Sequence, residues 1–83
     1  MLSNTDKARE LAINVMLADL PSSYKAKVEK AVNRAVASGV DAESLYMAIY
    51  HFCREECFTD SFEFKNSKEV LNKILELIQT YQR

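Results

Sequence analysis

Eighty-three residues make one domain, and a chain of this size hides only about 60% of its extended surface on folding, so its core is thin. Apolar residues at 48% and charged residues at 28% exclude a disordered chain, while one glycine and one proline are too little punctuation for a many-turned β architecture. Eleven Lys and Arg against twelve Asp and Glu leave a net charge of −1, which excludes a global field drawing the chain to phosphate or acidic lipid. The expectation is a single all-α domain over 1–83, a small bundle of about four helices, and nothing in its composition asks for a cofactor.

From Met1 to Asp6 there is no basic stretch leading into an apolar run and no small-residue cleavage site, and no later run approaches the ~18 apolar residues of a membrane span. A cytoplasmic protein without membrane association is expected. The first helix is predicted over about 5–19, with Ser3, Asn4 or Thr5 as N-cap, Asp6 near the positive end of its dipole, and Pro21 beyond its end. On a 3.6-residue wheel, Ala8, Leu11, Ala12, Val15 and Ala18 form one stripe, and Ile13, Leu17 and Leu20 form a second. Two apolar faces imply two neighbours.

Pro21-Ser22-Ser23 restarts the chain, and Tyr24, Val28, Ala31, Val32, Ala35 and Val36 recur on one face of a second helix over about 22–38. Gly39 stops it, being the residue that takes a left-handed conformation without a steric penalty, and Val40 follows where a closing apolar contact is usual. Asp41 then caps a third helix over about 42–57. Ala42, Leu45, Tyr46, Ala48, Ile49, Tyr50, Phe52, Cys53 and Cys57 give it an apolar arc of roughly 200°, wider than one core-facing stripe, so it should be the central helix.

Residues 58–66 interleave polar turn formers with phenylalanines and predict a connection packed by its own aromatic rings. Asn66 with Glu69 resembles a capping box opening a fourth helix over about 67–82, whose Val70, Leu71, Ile74, Leu75, Leu77, Ile78 and Tyr81 share one side.

Against this scaffold, Tyr46, Met47, Tyr50, Phe62 and Phe64 are the candidate partner-binding residues. Met47 is predicted on the polar side of the third helix and Tyr50 at its margin, and so many rings exceed the room in a small four-helix core. Glu55, Glu56, Asp60 and Glu63 gather acid where that helix ends, a placement that its dipole disfavours and that a basic partner would relieve. A second candidate surface is the cationic stripe Lys25, Lys27, Lys30 and Arg34 on the outward face of the second helix, a possible contact for DNA phosphates interrupted by Glu29. A helix-turn-helix drawn through Ala35, Gly39, Leu45 and Ile49 is a poor fit, because Asp41 and Glu43 would meet the DNA backbone first.

Cys53 and Cys57 stand one helical turn apart, where an unstrained disulfide is hard to form, and are expected as reduced thiols. As zinc ligands they lack company: His51 lies about 160° around the helix from Cys53 and there is no second cysteine pair. The same displacement counts against a Cys-His nucleophile, and no metal or catalytic site is expected.

The segment from Val28-Glu29-Lys30-Ala31-Val32 through Ser38-Gly39 to Leu71, Ile74, Leu75, Ile78 and Tyr81 resembles the YmgB/AriR family of small biofilm and acid-stress regulators. The resemblance implies a small all-α homodimer acting without catalysis, as a connector to signalling or transcription factors with some association with DNA. The cysteines, the phenylalanine-rich connection and the first helix depart from that pattern, and no functional residue carries over. The sequence therefore predicts a non-enzymatic regulatory module that pairs with itself and with another protein, with no small-molecule substrate. A DNA-associated transcriptional regulator is the alternative, and a phage-encoded inhibitor or an immunity or antitoxin protein a further one.

Overall fold

A computed structural model describes residues 4–61 and 63–82. Four α-helices follow in order: α1 (Asn4–Ala18), α2 (Ser22–Ala37), α3 (Ala42–Phe52) and α4 (Ser67–Tyr81). A π-helical turn, Cys53–Cys57, extends α3. The predicted all-α bundle is what the chain forms, with each helix within about a residue of its expected start, and with the last turn of the third helix wound as a π turn rather than an α turn.

Local chemistry sets these boundaries. α1 starts at Asn4, so Asn4 and Thr5 lie inside the helix rather than capping it, and Ser3 falls outside the described residues. It closes by tight bonds from Asp19 N to the Met16 carbonyl and from Leu20 N to that of Leu17, just before Pro21. The Pro21 carbonyl accepts from Tyr24 N and Lys25 N to open α2.

At the other end of α2, Gly39 has φ +104°, with Val40 N donating to Ala35 O at 3.1 Å and Gly39 N to Val36 O at 3.0 Å, which is the Schellman arrangement. Val40 packs against the core. The Asp41 carboxylate accepts from Ser44 N at 2.9 Å to cap α3, and Asn66 Oδ1 accepts from Lys68 N and Glu69 N to cap α4.

The helices pair: α1 packs on α3 and α2 on α4, and α3 also touches α2 and α4, which makes it the central helix as its wide apolar arc requires. Ile13 and Leu17 of α1 and Leu20 just after it meet Val28, Val32 and Ala35 of α2, Leu45 and Ile49 of α3, Cys53 and Cys57 of the π turn, and Val70, Leu71, Ile74 and Ile78 of α4 in one buried cluster. Between α3 and α4, Phe58 and Phe64 form an isolated antiparallel bridge and stack their rings 4.5 Å apart at 24°, so the connection is packed by its own aromatics as expected. Thr59 N to Glu63 O at 2.8 Å and Lys65 N to Cys57 O at 2.9 Å hold the loop shut.

Candidate protein-docking surface

The wide apolar arc of α3 divides by depth. Leu45 and Ile49 are fully buried, whereas Tyr46, Met47 and Tyr50 are half-buried, packed against the core from outside. Phe64 is half-buried as well, and Phe62 lies outside the described residues. Met47 is not on a free polar face: α1 crosses that side of α3, and Met47 lines the cleft between them with Ile13. A wheel drawn for α3 alone cannot show that a neighbour lies across it.

Among the described residues, the two most exposed large apolar side chains are on α1. Leu11 keeps 65% and Val15 62% of their surface, while Ile13 and Leu17 on the opposite face keep 1% each. Ala8 and Ala12, on the stripe with Leu11 and Val15, are exposed too. Two stripes implied two neighbours; the inner stripe is buried, with α3 and α2 packed on the helix, while Leu11 and Val15 of the outer stripe stay exposed. An open groove then joins Ala8, Leu11, Ala12, Val15 and Met16 of α1 to Tyr50 of α3 and Phe58 at the start of the connection. Of the predicted anchors, Tyr50 is the one that this groove takes in. Leu11 and Val15 were legible as an apolar stripe, but their exposure depends on which helix fails to cover them.

At the other end of the α1–α3 contact, a cavity of about 200 Å³ is lined by Asp6, Arg9 and Glu10 of α1 and by Asp41, Glu43, Tyr46 and Met47 beside or on α3. The side chains of Glu43 and Asp6 hydrogen-bond, which pushes the Glu43 carboxyl above its ordinary value, since one proton must sit between two acids. The bonds from Ser44 hold Asp41 below its ordinary value. Burial, with help from Glu10 and Glu29, raises the Tyr46 phenol.

The predicted cationic stripe is partly engaged. Lys25 Nζ lies 3.9 Å from Glu29, and Lys27 Nζ stands 6.0 Å above the Tyr24 ring. Lys27, Lys30 and Arg34 border a groove between α2 and α4 whose far wall is Leu75, Ile78, Gln79 and Gln82. α3 packs against the other three helices, and Asp41 and Glu43 stand at its N-terminal end.

Cys53 and Cys57 are free and fully buried, and the two side chains hydrogen-bond. Desolvation pushes the Cys53 thiol up to about 12 and raises that of Cys57, so both stay protonated and behave as small apolar core residues. His51 is exposed and meets the Tyr50 ring edge-on at 5.5 Å. Among the described residues, no three His, Cys, Asp or Glu side chains converge in a way that could hold a metal ion. Nor is any helix among them long and apolar enough to cross a membrane.

No family model, no curated protein and no solved structure matches the chain.

Proposed function

We propose that the protein is a non-catalytic interaction module, a homodimer that regulates by docking on another protein. The observation that carries this reading is the continuous apolar groove in which exposed Leu11 and Val15 meet Met16, Tyr50 and Phe58. Contiguous exposed apolar surface of this kind is what interaction sites use. Tyr50, with Tyr46 and Met47 half-buried on the same helix, offers the ring and apolar area that interface anchors use. The resemblance to the YmgB/AriR family favours a biofilm or stress-response connector as the form this takes. An inhibitor or an antitoxin would need the same scaffold.

The alternative is a DNA-associated regulator, favoured by the groove that sets Lys27, Lys30 and Arg34 opposite Gln79 and Gln82. Salt separates the two readings, because phosphate contacts weaken steeply as salt rises and apolar docking does not. The test is affinity capture with the wild-type chain and with Tyr50→Asp, alongside a duplex titration at two salt concentrations. A protein captured by the wild type and lost by a Tyr50→Asp variant with an unchanged helical spectrum supports docking. Tight, salt-sensitive duplex binding that disappears in Lys30→Glu/Arg34→Glu overturns it.

A further inference from the structure

We propose that the groove between α2 and α4 is a second docking surface, and that its occupant is an acidic amphipathic helix of a partner protein. This rests on the interaction-module reading and uses none of the residues that line the Leu11 groove. α2 and α4 pack on each other, and the trough left between two packed helices is a shape that takes a third. Ala31, Leu75 and Ile78 sit deep in it, half-buried or buried, while Lys27, Lys30 and Arg34 stand exposed along its α2 side.

Charge names the occupant. No acid lines the groove. Glu29, the one acid of α2, pairs with Lys25 at 3.9 Å, and both lie about half-way round that helix from Lys27, so the interruption expected from the linear sequence falls on the far side. Glu69 and Glu76, the acids of α4, lie as far round their helix from Ile78. Among the described residues, neither Lys30 nor Arg34 is in an ion pair. The three cations recur at i, i+3 and i+7. Carboxylates at the same spacing on a helix laid alongside meet all three over about 10 Å, and apolar residues next to them reach Leu75 and Ile78.

Nucleic acid fits the groove less well. Its apolar bed gives nothing to a phosphate, and its lining has no aromatic ring on which a base could stack. The whole chain carries −1 although these three cations stand together, so the surface beyond them is net negative and repels a polyanion longer than the groove.

Fluorescence anisotropy with the full chain tests this. The probe is a labelled helical peptide of about 15 residues with glutamate at i, i+3 and i+7, leucine one residue after each, and alanine and glutamine elsewhere. The wild type is expected to bind it about tenfold or more tightly than a peptide with lysine in place of each glutamate. Lys30→Glu/Arg34→Glu, a change at exposed positions that should leave the far-UV circular dichroism as it is, should reverse that preference. Alanine in place of the probe's leucines should weaken binding to the wild type several-fold, because the apolar bed is then left unfilled. A wild type that does not prefer the glutamate peptide, a variant that still does, or a leucine-free probe that binds as well overturns the proposal. A DNA duplex bound more tightly than the peptide at about 150 mM salt and released by the same variant gives the groove to nucleic acid. A wild type that sediments at twice the mass of that variant gives it to a second copy, and either result overturns the partner helix. Tyr50→Asp should bind the peptide as the wild type does, so failure of the peptide leaves partner capture through Tyr50 standing, and loss of that capture leaves the peptide result standing.

Discussion

α1 and α4 are equally long, at fifteen residues each, and differ in where their apolar side chains end up. α4 gathers them on one side: Val70, Leu71, Ile74 and Ile78 are buried, Leu75 and Leu77 are half-buried, and Tyr81 at its end is the large apolar side chain of the helix left exposed. α1 carries two apolar faces and sinks only one, so Ile13 and Leu17 disappear while Leu11 and Val15 stay in water. A helix with one stripe is finished by one set of neighbours; a helix with two stripes at the edge of a bundle keeps one of them in water.

Truncating equivalent apolar side chains on the two helices should break the symmetry most sharply. Ile74→Ala opens a cavity in a fully buried site and is expected to cost about 2–5 kcal/mol, against a total of about 4–12 kcal/mol for a domain of this length. Leu11→Ala should change the stability of the single copy by no more than about 0.5 kcal/mol, since it removes a side chain already in water. Urea denaturation measures both, and similar losses would mean that α1's outer face is covered.

A smaller effect is expected at the joint between the two helix pairs. Gly39→Ala meets no atom within 4 Å, so its cost is that of the backbone alone, about 1–2 kcal/mol for forcing an L residue to φ +104°. The same denaturation measures it, and a neutral substitution would show that the α2–α3 turn does not set how the pairs join.

Most of the bundle was legible in the sequence because its signals are local. Gly39, Asp41 and Asn66 mark helix ends through bonds made within a few residues, and Val28, Val32 and Ala35 repeat at the period of a single buried stripe. Val36 is the exception on that face: it sits on the margin of the stripe and stays 39% exposed. The candidate surface was less legible. Both stripes of α1 were visible, yet the outer one could be told from core only when the packing left it bare. Met47 went the other way, from a predicted polar side into the α1–α3 cleft, because a wheel records direction and not what stands there. The π turn has no signal in composition, since it arises where the chain leaves α3 for the Phe58–Phe64 bridge.

The finest comparison is pH, which acts on the edge helix through its contact with α3. Glu43 faces Asp6, Arg9 and Glu10 of α1 and lies beside Asp41, and its folded-state value is raised, first by the hydrogen bond to Asp6. A raised carboxyl contributes stability in full below its unfolded value and loses it as pH rises through the folded one, so at neutral pH the pair repels and loosens α1 from α3. Glu43→Gln keeps a group that can donate to Asp6 and removes the charge. Its thermal midpoint should therefore exceed the wild type's at about pH 7, and the gap should close by about pH 4, where the native pair shares a proton. Asp41 runs the opposite way: its lowered value gives stability that is present above the ordinary Asp range and lost in stronger acid, and Gln at position 43 leaves that loss in place. Hydrogen exchange of α1 amides followed across the same range should slow toward acid in the wild type beyond the intrinsic trend, and stay level with α4 in Glu43→Gln. Equal pH profiles for the two proteins would detach the carboxyl pair from the hold of α3 on α1.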